Sequence, residues 1–280
     1  MKTKLVTLTL AVMMLAVLFS GCGKKESKND SKNGSKELTK VVVSEFRGIS
    51  WSPMYIAYQL GYYKEEGLDI ELLKIDDGPN CFRGMHAGES DFCILSQEVS
   101  LKAQEQGMKS TYVTTMLDTR YYAFAAKADI KSVADLKGKT VFASTPGSAP
   151  YTFCVAILEE AGLEVGKDVT LVTMDKGAVI AALDKGEVQA GFVNADNFKE
   201  ADQIDGLHYL VDTRKTKDAS KYLRNDSFPA EVILCTTKYK DAHPKQVQAF
   251  VNATCKGINW LHENSSEEAA KVIGELFPGM

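Results

Sequence analysis

The chain has 280 residues, with 33 lysines and arginines against 37 aspartates and glutamates and a formal net charge of −4. An acidic balance without a basic face argues against a nucleic-acid partner. The six cysteines and four histidines are scattered with no C-x-x-C or Cys/His cluster, so no metal site and no cofactor is expected.

The amino-terminal segment begins with Lys2 and Lys4, continues through an apolar run from Leu5 to Phe19, and ends in the small residues Ser20-Gly21. The run has no helical stripe and, at about 15 residues, is short for a bilayer span. Its end, Leu18-Phe19-Ser20-Gly21-Cys22, resembles the bacterial lipobox. Residues 1–21 are therefore expected to be a signal peptide and Cys22 the lipidated first residue of a membrane-anchored mature chain. Residues 22–40 are almost wholly polar and read as a flexible tether, too poor in apolar surface to offset ordering entropy. About 240 residues follow, enough for a sizeable core and for two lobes. Five cysteines remain, an odd number, so at least one thiol stays unbridged; a Cys81 to Cys93 bridge is an open alternative.

From Val41 the chain alternates strand and helix signals. Val41-Val42-Val43 is a first strand, and Pro53 to Glu66 reads as a helix with Gly67 placed where it stops; Gly61, Gly67, Gly88 and Gly186 read as helix-stop and turn glycines. Asp69 to Ile75 is a strand, Cys81 to Ala87 a helix stopped by Gly88, Phe92 to Leu95 a buried strand, and Gln97 to Gln106 a helix closed by Gly107. Strand signals recur at Tyr112 to Met116, Thr140 to Ser144, Val169 to Met174, Ala190 to Val193, Leu207 to Val211 and Val232 to Leu234. Such alternation predicts an α/β fold with mainly parallel sheets. Asp91 and Gln189, beside apolar strands, read as caps or turn ligands.

The run Ser52 to Leu72, followed by Gly84-Met85-His86-Ala87-Gly88-Glu89-Ser90-Asp91-Phe92, resembles the opening of periplasmic-type solute-binding proteins for alkanesulfonates, taurine, nitrate and thiamine-pyrimidine precursors. Asp135 to Thr140, Ser144 to Ser148 and Ala182 to Ala190 fit the second lobe of the same family. The resemblance implies a two-lobed periplasmic-binding-protein type 2 fold, each lobe a mainly parallel sheet flanked by helices with a ligand cleft between. It implies one lobe from 41–118 plus 231–280 and another from 119–230, with hinges near Met116 to Tyr122 and Phe228 to Leu234. It also implies a monomer that hands a small-molecule ligand to an ABC permease and its ATPase. Relatives usually continue beyond the point reached by Met280, with helices that cover the first lobe, so part of that lobe is expected to be exposed.

Open α/β sheets bind ligands outside the carboxyl ends of their strands. The candidates there are Ser50, Trp51 and Ser52 after the first strand, Gly78 and Asn80 after the second, and Ser96 and Gln97 after the third. Asp118 follows the fourth. In the second lobe they are Ser144, Gly147 and Ser148 before a helix and Asn194 and Asp196 after a strand. Glu231 either reaches the cleft from the returning strand or sits at a surface edge. The Ser144 to Ser148 loop either binds an anion or polar group or simply caps a helix through Ser148. Trp51 either stacks on a ligand or packs between lobes, and Tyr151 and Phe192 read as core. Asp76, Asp77, Glu98, Asp118 and Asp196 outnumber the nearby Arg47, Arg83 and Arg120, which favours a ligand bearing an amine, an aminopyrimidine or a taurine-like zwitterion. The alternatives are a pyrimidine-precursor synthase of the same fold, whose Cys-Cys-Cys-Phe-Cys run is missing here, and a structural lipoprotein without a cleft.

Overall fold

Two five-stranded sheets organise the chain, and the computed structural model describes residues 37–223, 227 and 229–278. The expected signal segment, Cys22 and most of the tether lie outside the described residues, as does Phe228 at the second expected hinge.

The first part of the chain runs β1 (Thr39–Glu45), α1 (Ser52–Gln59), α2 (Tyr62–Glu65), β2 (Leu68–Lys74), α3 (Gly78–Ala87), β3 (Phe92–Ser96), α4 (Gln97–Gln104) and β4 (Ser110–Leu117). It continues with β5 (Ala123–Ala126), β6 (Thr140–Phe142), α5 (Ala149–Glu160), β7 (Thr170–Val172), α6 (Val179–Lys185), β8 (Ala190–Val193), α7 (Phe198–Ala201), β9 (His208–Asp212) and α8 (Thr216–Asp218). The chain then returns through β10 (Glu231–Thr236) to α9 (Thr237–Ala242), α10 (Pro244–Glu263) and α11 (Ser266–Ile273). The sheet orders are β2-β1-β3-β10-β4 and β7-β6-β8-β5-β9, one pattern used twice. In each, a single strand runs against the others, β10 in the first and β5 in the second, and each is the first strand after the chain crosses from the other sheet.

The same device fastens both sheets. Asp91 Oδ2 accepts from Val42 N at 2.9 Å, and Gln189 Oε1 accepts from Thr140 N at 3.1 Å, so Asp91 ties β1 to β3 and Gln189 ties β6 to β8. The reciprocal backbone bonds, Asp91 N to Val42 O and Gln189 N to Thr140 O, complete both pairs at 2.9 Å.

Two sequence expectations change. The single helix over 53–66 is broken: Gly61 takes a left-handed φ of +78° and splits it into α1 and α2, a geometry that glycine adopts without strain. Strand β5, absent from the strand signals, lies in the middle of the second sheet with all four residues buried. Its sequence Ala-Phe-Ala-Ala has no β-branched residue, and it lacks alternation because both faces are covered.

The first sheet is buried on both faces, with β3 wholly enclosed and β10 nearly so. On one face Phe250 of α10 stacks on Phe92 at 4.1 Å, and Tyr63 Oη and Thr254 Oγ1 lie 2.8 Å apart in a hydrogen bond. Helix α10 crosses α1 so closely at Gly257 that a Cβ there would stand 2.1 Å from Pro53 O. On the opposite face Cys81 and Cys93 are buried without a disulfide between them, and Cys93 Sγ lies 3.5 Å from Met85 Sδ. Burial pushes the Cys93 thiol well above its ordinary range. Leu276 and Phe277 pack against the first core, where Phe277 meets Tyr55 edge-on at 5.6 Å.

Candidate functional site

The carboxyl ends of β1, β2, β3, β6 and β8 converge, and the loops leaving them meet across a cleft of about 590 Å³, part of it open to solvent. The structure brings together Ser50, Trp51, Gly78, Ser96, Ser144, Ser148, Asn194, Asp196 and Glu231 as its lining. Phe46, Arg47, Gly48, Asp77, Val99, Tyr122, Ala149, Pro150 and Phe192 complete the wall.

Each lining group is held by a local cause. Trp51 is 2% exposed and packs edge-on against Phe46 with ring centroids 5.2 Å apart. Asp77 is the N-cap of α3 and accepts from Asn80 N at 2.8 Å, which presents Gly78 to the cleft in the first turn. Ser148 caps α5 by accepting from Tyr151 N at 3.3 Å, and the amino terminus of this twelve-residue helix faces the cleft through Ala149 and Pro150. Ser144 is buried with φ of +66°, and its carbonyl accepts from Thr173 Oγ1 at 3.0 Å. Serine pays strain for that backbone, so the loop is held against a local cost.

Five of the sequence candidates do not line the cleft. Ser52 turns back to donate to Ile49 O at 2.5 Å. Asn80 is engaged with the Asp77 cap and with Arg83, both within α3 or at its start. Gln97 lines a neighbouring groove with Glu98, Arg120 and Tyr122. Asp118 is exposed, and Gly147 shapes its loop at φ of +86° without facing inward. Phe192, read as core, is both: it is 3% exposed and lines the cleft, with Tyr122 edge-on at 4.7 Å. The sequence reading passed over Phe46, Gly48 and Tyr122 as site residues; the position of the first two just past the end of β1 was the available signal.

The electrostatics of the cleft are acidic. Three carboxylates line it, Asp77, Asp196 and Glu231, against one arginine, Arg47. Arg47 is already satisfied: Nε and Nη2 donate to Glu45 Oε1 at 3.0 and 2.7 Å, and Nη1 donates to Leu276 O at 3.0 Å. Asp196 reaches across the cleft to accept from Ile49 N at 3.0 Å, steadied by Asn194 Nδ2 at 3.2 Å. Glu231 is 4% exposed and lies at the start of β10, where it accepts from Ser96 Oγ at 3.0 Å and from Arg120 Nη1 at 2.7 Å. Burial raises its carboxyl to about 7, an effect that Arg120 and Ser96 oppose and Glu98 assists. The cleft thus offers carboxylate acceptors on several sides and a helix amino terminus on one.

A family model described as NMT1/THI5 like matches residues 49–268. The formylaminopyrimidine-binding protein of Halalkalibacterium halodurans is 23% identical over 275 residues, covering 94% of this chain and 76% of that protein. The 4-amino-5-hydroxymethyl-2-methylpyrimidine phosphate synthase of Aspergillus parasiticus is 21% identical over 221 residues, 75% of this chain and 62% of the enzyme. Among solved structures, the alkanesulfonate-binding protein SsuA of Xanthomonas axonopodis pv. citri bound to MOPS matches with a TM-score of 0.67 at 19% identity. That match covers 86% of this chain and 80% of SsuA and shows a shared two-lobed fold.

Proposed function

Because this chain belongs to the NMT1/THI5-like family, and is a two-lobed solute-binding protein, we propose that it captures a small amine-bearing organic solute outside the cytoplasm. The solute is an aminopyrimidine or a taurine-like zwitterion, and it passes unchanged to an ABC permease and its ATPase. The observation that carries this reading is the surplus of cleft carboxylates, Asp77, Asp196 and Glu231, over Arg47, whose guanidinium is paired with Glu45. Asp77 and Asp196 accept bonds within the protein, yet a carboxylate has about four acceptor sites, so a ligand supplying N–H donors gains charge-assisted bonds that a simple anion does not. The amino terminus of α5 suits the other end of a zwitterion.

In this reading Cys22 carries the lipid anchor, the tether spans to the folded part, and the chain works as a monomer. The lobes, 41–118 with 231–280 and 119–230, close on the solute as the two crossing segments flex. The formylaminopyrimidine-binding relative supports this reading.

The test is thermal unfolding of the protein from Lys24 onward against aminopyrimidines, taurine, simple alkanesulfonates and nitrate. Specific binding adds about 2.7 kcal/mol at a hundredfold excess over Kd. Aminopyrimidines or taurine are expected to raise the transition. A rise with alkanesulfonates alone overturns the amine reading.

A further inference from the structure

Between the ligand cleft and the groove beside it lies a buried charged cluster that joins the two crossings of the chain. Arg120 belongs to the segment leaving β4 for β5, is 1% exposed, and does not line the cleft. Its Nη1 donates to Glu231 Oε1 at 2.7 Å, to Ser96 Oγ at 3.1 Å and to Tyr122 Oη at 3.1 Å, and its Nη2 pairs with Glu98. Thr213, after β9, fixes the segment by donating from Oγ1 to Arg120 O at 3.1 Å and accepting from Tyr122 N at 3.0 Å. Glu231 does line the cleft, so one end of this pair faces the solute and the other is sealed from it.

We propose that Arg120 is a positioning residue that holds Glu231 as an ionised acceptor for the solute's N–H groups, and so sets the charge preference of the cleft without touching the solute. The geometry around Glu231 supports that role. Glu231 is enclosed by Ser96 of β3, Glu98 of α4, Tyr122 of β5's approach and Leu117 of β4, its pairing partner across the ladder. The charged groups sharing its cleft are Asp77, Asp196 and the Glu45-bound Arg47. Arg120 is therefore the cation in contact with it, and in so buried a place a carboxyl without a cation stays protonated. Glu98, half open in the outer groove, competes for the same guanidinium and weakens its hold on Glu231.

This rests on the amine reading above, and the test separates the two. Infrared spectra of ligand-free protein, taken as the difference from Glu231→Gln, report the Glu231 carboxyl directly across pH. At about pH 8 the wild type is expected to show the ionised band, Arg120→Met the protonated band, and Arg120→Lys the ionised band again. An unchanged titration in Arg120→Met overturns the proposal. If that variant does not fold, Glu98→Gln carries the test in the opposite direction: freeing Arg120 for Glu231 must move the titration to lower pH, and no movement overturns it. Calorimetry with 4-amino-5-hydroxymethyl-2-methylpyrimidine and with taurine adds the binding arm. Affinity for the bound probe is expected to fall about tenfold or more in Arg120→Met, and to stay close to wild type in Arg120→Lys. Undiminished affinity in Arg120→Met also overturns the proposal. A wild type that binds neither probe sinks the amine reading by itself, while the infrared titration still decides whether Arg120 governs Glu231.

Discussion

Glu231→Gln should flatten the dependence of stability on pH. The native carboxyl titrates near 7 because burial disfavours its charge, whereas an exposed glutamate titrates near 4.5. Between those values the native state holds a proton that the unfolded chain has released, so stability falls as pH rises through the window and levels off above it. A gap of about 2.5 pH units at about 1.4 kcal/mol each amounts to about 3 kcal/mol. Glutamine cannot titrate and loses this dependence. Urea unfolding of wild type and variant at several pH values from about 4.5 to 8 measures it, and the wild type should lose about 3 kcal/mol relative to the variant, or about 6–12 °C in Tm for a chain of this size. His86, whose imidazole is lowered by burial, acts in the same range with the opposite sign, stability rising as pH climbs through its native value toward 6.5. It is present in both proteins and cancels in the difference. Parallel curves, or a wild type that gains on the variant as pH rises, would refute the assignment of Glu231 as a buried acid.

Gly257→Ala should destabilise the first lobe. Glycine to alanine in an open helix gains about 1 kcal/mol, but here the added Cβ would stand 2.1 Å from Pro53 O, and overpacking of this kind costs about 1–3 kcal/mol or more. A fall in Tm is expected by thermal melt, with Gly274→Ala, where a Cβ meets open space, as the control. Asp91→Ala and Gln189→Ala should each cost about 1–2 kcal/mol by denaturant unfolding, because each strips the acceptor from a strand N–H; equal stability to wild type would show the fastening to be idle. Asp196→Ala removes the bond to Ile49 N across the cleft and should speed ligand release about fivefold in stopped-flow measurements, for a bond worth about 1 kcal/mol.

The alternation of strand and helix was legible because it rests on local patterns: apolar runs at β1, β3 and β10, and glycines at Gly67 and Gly88 where helices end. The paired Asp91 and Gln189 were legible as cap-like groups because each stands beside an apolar strand. Strand β5 was not, since alanine carries no strand signal and its place is dictated by β8 and β9 on either side. Gly61 was legible as a helix-stop or turn glycine, but the helical pattern on both sides of it also read as one run from Pro53 to Glu66, and only the fold decided between them.

For the site, the sequence determined which loops leave the carboxyl ends of strands, and so which short segments can meet at a cleft. Which side chains turn inward was decided by the tertiary structure: Ser50 and Ser52 are two residues apart, yet one lines the cleft and the other bonds back to Ile49. The charge character followed the same division. Acids outnumbered bases in the sequence, but exposure set aside Asp76 and Asp118, pairing with Glu45 neutralised Arg47, and burial lifted Glu231. Arg120 and Glu231 stand 111 residues apart and meet where the chain crosses between sheets twice. Local propensity acts over a few residues and is written in the sequence, whereas burial and ion pairing depend on what the fold brings within a few ångströms.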